Sequence, residues 1–378
     1  MEEAGTSHRA LRVLILTWRD GDHPEAGGAE IYVERTAQWL ASHGHQVTVF
    51  SAAFPGAPVT VDRGPVKFVR RGGRFGCYAR GMQFVRRHGH DFDVVIDVHN
   101  GVPFWSPLVS KAPVVSLVHH VHRDQWPIVF GPVLGRIGWL VESRIAPRVY
   151  RRCQYATVSR ATRDELAQLG VDPARVAITY SGNDVPEDLE KYALIDRSPN
   201  PSLMVLGRLV PHKHFETAID IVAALSHKYP ALTLDVVGDG YWSDALHRHA
   251  VARGVSSRVR FHGFVDDHTK RELLSRAWVV LLPSHKEGWG LTIVEAGLHG
   301  TPCVAFSFAG GVTESIVNDE TGLLAADIGQ MTAQVDDLLS DPMLRTKYGE
   351  NARRHAQSFS WKRTSVELEA VLARVGGS

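Results

Sequence analysis

Apolar residues along the chain form short continuous runs that alternate with segments of helical spacing. The runs cover residues 11–17, 47–51, 93–98 and 112–118 in the first half and 203–206, 232–237, 278–282 and 302–306 in the second. Continuous rather than alternating apolar runs are typical of strands that are buried on both faces of a parallel sheet. Intervening segments such as Ile31–His43 repeat apolar residues with helical spacing. The pattern therefore predicts an α/β protein whose strands form parallel sheets.

Glycine-rich turns stand between some of these runs and the helices that follow. Gly27 and Gly28 precede the predicted helix 31–43, and Gly288-Trp289-Gly290-Leu291 leads into the predicted helix 291–299. In this order of strand, turn and helix, the unpaired N–H groups of the first helical turn favour an anion. A sharp turn without a ligand explains the Gly27-Gly28 pair equally well.

Two carboxylates accompany the second of these turns. Glu287 and Glu295 are eight residues apart, which is about two helical turns, so both can face the same end of the helix. Acids beside an anion repel it unless they accept hydrogen bonds from hydroxyl groups. The pair therefore indicates a phosphate-bearing polyhydroxyl ligand such as a nucleotide sugar; the alternative is one solvated loop acid and one acid on a helix surface.

Two cations stand in the loop that follows the run 203–206. Arg208 and Lys213 are five residues apart. The planar fork of a guanidinium and the point charge of an ammonium can hold a diphosphate from two sides.

The stretch from Glu287 to Ala296, EGWGLTIVEA, resembles the motif of the retaining glycosyltransferases of family 4. The Arg208–Lys213 loop resembles the diphosphate-binding loop of that family, although His212 and His214 replace the more usual acid and glycine. The resemblance implies the GT-B fold, which consists of two doubly wound Rossmann-like domains facing across a cleft and a C-terminal helix that crosses back to the first domain. It implies an acceptor domain at 1–186 with the crossing helix 358–378, and a nucleotide-sugar domain at 200–357.

The same resemblance implies roles for individual residues. Arg208 and Lys213 would bind the diphosphate, Glu295 the ribose hydroxyls, and Glu287 and His119 the transferred sugar, with His120 as the alternative to His119. The backbone of Gly288, Trp289, Gly290 and Leu291 would share the phosphates, Gly27 and Gly28 would lie near them, and Gly238 and Gly263 would lie near the nucleoside.

Three histidines, His119, His120 and His122, occur within four residues. Residues adjacent in a loop seldom converge on one ion, and no set of acids or cysteines with zinc-ligand spacing completes a site. We therefore expect a metal-independent enzyme without a cofactor, whose nucleoside diphosphate sugar is a substrate.

Composition and charge narrow the class of protein further. A length of 378 residues fits two domains, and 44% apolar with 22% charged residues is ordinary for globular chains. The net charge of +1 gives no support to nucleic-acid binding. The three cysteines indicate a reducing compartment, and neither a targeting signal in residues 1–12 nor an apolar run of spanning length is present. The chain is thus expected to be cytoplasmic.

Two segments bear on the acceptor and on membranes. Residues 63–90 contain eight lysines and arginines and no acid, a block that suits an anionic acceptor or the anionic inner membrane surface, or is simply a solvated face. Residues 126–140 are unusually apolar and would form a lid, a wall for a lipid-linked or other hydrophobic acceptor, or an ordinary packed segment.

The patterns and the resemblance together predict a hexosyltransferase-type enzyme that moves a sugar from a nucleoside diphosphate sugar to an unidentified small-molecule or lipid-linked acceptor. Retention at the anomeric carbon is implied by the resemblance alone. The alternatives are a nucleotide-sugar epimerase, which would convert the donor alone, and a non-catalytic protein that binds sugar nucleotides without turnover.

Overall fold

The computed structural model describes residues 9–186 and 188–377. The chain divides into two compact units, one formed by Met1–Gly182 with Trp361–Ser378 and the other by Asn183–Ser360. Residues 1–8, which carry most of the segment predicted to lack a targeting signal, lie outside the described residues. The roles predicted for the two domains, acceptor binding and nucleotide-sugar binding, stay predictions.

The first unit contains an eight-stranded sheet. Its strands are β1 (Arg12–Leu16), β2 (Gln46–Ser51), β3 (Thr60–Arg63), β4 (Val66–Arg70), β5 (Val94–His99), β6 (Val114–Val118), β7 (Gln154–Thr157) and β8 (Val176–Ile178). They lie in the order β3-β4-β2-β1-β5-β6-β7-β8, and only β3 runs antiparallel to its neighbour. Val13 of the central strand pairs with Val47 on one side and Val94 on the other, and all three are buried.

Helices cover this sheet. They are α1 (Gly28–Ser42), α2 (Gly76–His88), α3 (Gln125–Leu140), α4 (Ala146–Val149) and α5 (Arg160–Gln168). Helix α3 is broken at Gly131, whose φ is 73°, and a π-helical turn, Val141–Ile145, joins it to α4.

The second unit contains a six-stranded, fully parallel sheet. Its strands are β9 (Ser202–Leu206), β10 (Thr233–Val237), β11 (Val259–Gly263), β12 (Val279–Leu282), β13 (Cys303–Phe306) and β14 (Gly322–Ala325), in the order β11-β10-β9-β12-β13-β14. Its helices are α6 (Leu189–Ala193), α7 (Phe215–Leu225), α8 (Ser243–Ala252), α9 (Asp267–Arg276), α10 (Leu291–Leu298), α11 (Val312–Ser315), α12 (Ile328–Ser340) and α13 (Pro342–Ala356).

The last helix, α14 (Trp361–Gly376), returns to the first unit, as the family resemblance implies. It packs against α1, the hydroxyl of Thr364 donates to the carbonyl of Tyr180 at 2.6 Å, and the ring Nε2 of His45 lies 2.9 Å from a carboxylate oxygen of Glu369. Two predicted parallel-sheet α/β regions are therefore present, and eight strands lie at the eight apolar runs of the sequence: β1, β2, β5, β6, β9, β10, β12 and β13.

Two further segments have helical spacing in the sequence and differ in detail in the structure. The spacing across residues 331–357 predicts one helix, but the segment forms two, because the Asp341 carboxylate accepts from the N–H groups of Met343 and Leu344 and starts a new helix at Pro342. The spacing over residues 142–152 predicts a helix, and the segment is helical through the π-helical turn and α4 but ends earlier, at Val149.

All three cysteines are free and buried. Burial raises the pKa of the Cys77 and Cys153 thiols to about 11 and raises that of Cys303 further. No helix within the described ranges, 9–186 and 188–377, is both long and apolar enough to cross a membrane.

Candidate functional site

The second unit brings two of the predicted site residues into direct contact. Lys213 ends a short 3₁₀ turn, Pro211–Lys213, after β9, and its Nζ lies 2.6 Å from Oε1 of Glu287 in the loop after β12. Both side chains are mostly buried, at 21% and 13% exposed. The pair joins the loops of two adjacent parallel strands, which is where ligands bind in open α/β sheets.

The Glu287 loop is fixed by the glycine turn that follows β13. The N–H of Glu287 donates to the carbonyl of Ala309 at 2.8 Å, and the N–H of Gly311 donates to the carbonyl of Glu287 at 3.1 Å. A Cβ on Gly311 would lie 2.0 Å from the carbonyl oxygen of Gly288, so only glycine fits there. Ser315 adds a hydrogen bond from its hydroxyl to the carbonyl of Trp289 at 2.9 Å.

Helix α10 begins directly after this loop. Gly290 has φ 90° and ψ 60°, the left-handed conformation, and turns the chain into the helix at Leu291. The first N–H groups of a helix lack partners within it. The predicted anion site is therefore at the end of the Glu287 loop, beside the Lys213–Glu287 ion pair.

Glu295 has a partner that the sequence interpretation missed. Nζ of Lys270, on α9, lies 3.0 Å from Oε1 of Glu295 on α10 and 3.0 Å from Oδ1 of Asp267. Burial opposes the charge, but the two carboxylates outweigh it and raise the pKa of Lys270. The ammonium therefore stays charged and holds the Glu295 carboxylate in place. In a helical pattern Lys270 looks like an ordinary surface lysine, so the sequence gives no signal for this role.

The predicted nucleoside turns meet at the ends of β9, β10 and β11. Gly238, with φ 125°, donates its N–H to the carbonyl of Gly263 at 2.8 Å, and a Cβ on Gly238 would lie 2.0 Å from the carbonyl oxygen of Gly207. The N–H of Leu209 donates to the backbone carbonyl of Asp239 at 2.9 Å. The half-buried Arg208 lies between Gly207 and Leu209, and the Gly238–Asp239 turn contacts the backbone of both.

His214 stands in this loop where the family more often has glycine, and its backbone adopts a conformation that glycine prefers. Its φ of 50° is in the left-handed region that glycine prefers, so the backbone keeps the conformation expected of the usual glycine. The His214 ring stacks on His285, with centroids 3.7 Å apart, and this contact offsets part of the conformational cost.

His119 of the first unit follows β6 and is only 7% exposed. Its ring packs edge-to-face on Tyr32, and its Nε2 is buried without a hydrogen-bond partner among the described residues. Burial lowers the pKa of His119 to about 4, so the ring is neutral at pH 7. The ring of its alternative, His120, is engaged by Gln125 at 3.2 Å.

We expect acid to destabilise both units through buried histidines. Burial and neighbouring cations lower the pKa of His299 to about 4, as burial does for His119. An unfolded histidine titrates near 6.5, so between pH 6.5 and 4 the unfolded chain binds more protons and stability falls as the pH is lowered. Each residue contributes a slope of up to about 1.4 kcal/mol per pH unit.

Urea unfolding of wild type and His299→Gln at pH 7.5, 6.0 and 5.0 checks this expectation. The variant should lose less stability on acidification than the wild type, because glutamine does not titrate. Parallel pH dependences of the two proteins would contradict it.

The Gly27-Gly28 turn is held from inside the first unit. The N–H of Gly27 donates to Oε2 of Glu30 at 2.8 Å, and Oε1 of the same carboxylate accepts from Nε of Arg19 at 3.2 Å. Glu30 and Arg19 are both buried. Glu30 therefore fixes the entry to α1.

Part of the basic block at 63–90 is committed to the fold. Arg70 is 2% exposed and forms a bidentate pair with Asp20, at 2.7 and 3.1 Å, while Ser51 donates to the same carboxylate at 2.6 Å. Burial opposes ionisation of Asp20, but these donors outweigh it and lower its pKa. Arg63 pairs with Asp22 and Glu34. The interpretation of all eight cations as one binding surface is therefore wrong for these two; Lys67, Arg71, Arg74, Arg80, Arg86 and Arg87 are exposed.

The third histidine of the loop after β6 also has a structural role. His122 Nδ1 lies 2.9 Å from Oε1 of Glu142, and Nε1 of Trp126 donates to Oε2 at 2.6 Å. Within residues 9–186 and 188–377, no group of three histidines, cysteines or acids is arranged to hold a metal ion. Metal independence itself stays a prediction.

Comparison with known families matches both halves of the chain. Residues 26–186 match the family described as Glycosyltransferase Family 4, and residues 190–355 match the one described as Glycosyl transferases group 1. A D-inositol 3-phosphate glycosyltransferase from Jonesia denitrificans is 32% identical over 97% of both chains. A glycogen synthase from Mycobacterium tuberculosis H37Rv is 30% identical over 75% of this chain and 67% of its own.

Solved structures share the fold. Sucrose-phosphate synthase from Thermosynechococcus elongatus superposes with a TM-score of 0.79 at 19% identity, covering 96% of this chain and 98% of its own. The Anabaena protein HepE, in a complex with UDP and glucose, gives a TM-score of 0.74 at 21% identity, covering 96% of this chain and 100% of its own. Both likenesses support the two-domain architecture.

Proposed function

Because the chain belongs to the glycosyltransferases of family 4, we propose that it transfers a sugar from a nucleoside diphosphate sugar, with retention at the anomeric carbon and without a metal ion. The observation that carries the proposal is the Lys213–Glu287 pair beside the N-terminus of α10. Arg208, on the half-buried loop before Lys213, completes the cationic side of the site.

The proposed chemistry depends on the leaving diphosphate. Negative charge grows on it as the bond to the sugar breaks, and fixed donors stabilise that charge more than they stabilise the ground state. Arg208, Lys213 and the backbone N–H groups of Gly288–Leu291 supply these donors, in the role that a divalent metal plays elsewhere.

The two acids would bind the neutral parts of the donor. Lys213 and Lys270 orient the carboxylates of Glu287 and Glu295 in the free protein. We propose that Glu295 accepts hydrogen bonds from the ribose hydroxyls and Glu287 from the sugar. The neutral His119, with its unpartnered Nε2, suits a sugar hydroxyl better than a phosphate.

A thermal-shift panel of UDP-, GDP- and ADP-sugars tests donor binding. A donor that binds the folded protein at 100 times its Kd raises stability by about 2.7 kcal/mol. We expect one base to give a clear rise in Tm, with UDP-sugars tested first because HepE is seen with UDP and glucose. Lys213→Ala should remove the rise. If no nucleoside diphosphate sugar shifts the Tm of the wild type, the proposal fails.

For the acceptor and the cellular location, the proposal names only a class. We propose a small-molecule or lipid-linked acceptor, and a cytoplasmic enzyme. Incubation with the bound donor alone distinguishes the alternatives, since an epimerase yields a new sugar nucleotide without an acceptor. Binding without transfer across an acceptor panel would instead indicate a non-catalytic protein.

A further inference from the structure

Helix α3 presents an apolar face to solvent. Ile128, Val129, Val133, Leu134, Ile137 and Leu140 are between 44% and 70% exposed. Such continuous apolar patches are uncommon on soluble proteins and usually mark an interaction surface. The sequence interpretation left this segment open as a lid, a wall or a packed element; exposure on this scale excludes the packed element.

The opposite face of α3 is anchored. A Cβ on Gly138 would lie 2.3 Å from the ring of Trp126, which belongs to the first piece of α3, so the two pieces on either side of Gly131 pack against each other at the buried Gly135 and Gly138. The Trp126 N–H donates to Glu142, which also accepts from the backbone N–H of His122. These contacts hold the apolar side chains outward on a fixed element.

The chain that forms and follows this face is rich in arginine. Between Gln125 and Arg163 the only acid is Glu142, which is buried, and the exposed Asp124 lies at the start of α3. The exposed cations of the same stretch are Arg136, Arg144, Arg148, Arg151, Arg152 and Arg160. Exposed apolar side chains in a stretch whose exposed arginines outnumber the one neighbouring exposed acid suit a surface that is apolar beneath and anionic above.

We propose that α3 docks on an anionic lipid bilayer, with its apolar side chains among the acyl chains and its arginines at the headgroups. The break at Gly131 divides α3 into two helical pieces, 125–130 and 132–140. The longer piece, of nine residues, is about 14 Å at 1.5 Å per residue, far shorter than the roughly 30 Å hydrocarbon core. It therefore lies in the interface and does not span it. A second copy of this chain is a poorer occupant, because a two-fold contact would place two arginine-rich surfaces together. The proposal does not depend on the transfer reaction.

Co-sedimentation with vesicles of phosphatidylcholine and phosphatidylglycerol tests it, with pure phosphatidylcholine vesicles as the comparison. We expect binding to the anionic vesicles that weakens on raising NaCl from 50 to 500 mM. Leu134→Asp with Ile137→Asp should reduce binding by about tenfold or more, because affinity scales with inserted apolar area. The matched control is Val251→Asp with Met343→Asp, two exposed apolar residues of the second unit, at 67% and 83%, which should bind like wild type.

Further variants test the role of charge, and folding controls exclude unfolding as the cause of lost binding. Arg136→Glu with Arg152→Glu should abolish the preference for anionic vesicles. Circular dichroism and Tm report folding of each variant, and Val133→Asp, at the most exposed position, replaces the double variant if that one is destabilised. Equal binding of wild type and the folded α3 variant, or no binding to anionic vesicles, overturns the proposal. So does a lipid-free dimer in sedimentation velocity that the α3 variant dissociates.

Discussion

Lys213→Ala is expected to reduce kcat/KM for sugar transfer by roughly 10²- to 10³-fold or more, with little change in fold. The ammonium supplies a charge to the diphosphate that alanine cannot replace. Removal of the ammonium leaves the mostly buried Glu287 without this ion pair, which costs some stability, but the backbone hydrogen bond from Lys213 to Val210 remains and keeps the loop in place. Transfer rates and Tm measured on the same preparation separate the two effects.

The matched control for this variant is Lys228→Ala. Lys228 also pairs with a carboxylate, Asp336, at 2.7 Å, but it lies on the surface of the second unit at 56% exposed. It should transfer sugar at the wild-type rate. Near-wild-type turnover of Lys213→Ala with a soluble donor would remove the central residue of the proposed site.

Arg197→Met is expected to cause the largest loss of stability, about 3 kcal/mol for unfolding of the second unit. The guanidinium donates to carbonyl oxygens at the C-terminal ends of α9 and α10, including those of Ser275 and His299, and to the hydroxyl of Thr301. One cation therefore caps two helices at their negative ends. Burial and neighbouring arginines lower the pKa of Arg197 to about 10, so it stays charged at neutral pH.

Denaturant unfolding of Arg197→Met and Arg253→Met measures the effect. Arg253 forms a surface pair with Asp220 and its side chain is 48% exposed, so its loss should cost under about 1 kcal/mol. Equal unfolding midpoints of the two variants would show that the carbonyl contacts of Arg197 contribute little.

The four central strands of each sheet could be predicted from sequence, because strands that are buried on both faces of a parallel sheet need continuous apolar runs. The break between α12 and α13 was also visible as Asp341-Pro342, a capping residue followed by a first-turn proline, but the helical spacing on both sides obscured it. The hairpin β3–β4 and helix α2 were not predicted, since the stretch 52–92 is polar and matches the family pattern weakly.

The site was predictable only where residue types form a local motif. Glu287, Glu295, Arg208 and Lys213 are identifiable from spacing, and the structure places Lys213 against Glu287. Whether they bind a donor as proposed is for the donor panel to decide.

Other pairs depend on tertiary structure. Lys270 reaches Glu295 from another helix, and Arg70 reaches Asp20 across 50 residues of sequence. In the sequence of a single chain, residues that form such distant pairs look the same as solvated ones.

The three buried cysteines make thiol alkylation a probe of structural opening in each unit. A thiol reacts with alkylating reagents as the thiolate, and burial both blocks access and suppresses that form at Cys77, Cys153 and Cys303. Modification must then wait for the surrounding structure to open. The alkylation rate of Cys303 reports the opening of the second unit, and the rates of Cys77 and Cys153 report the opening of the first. No introduced label is needed.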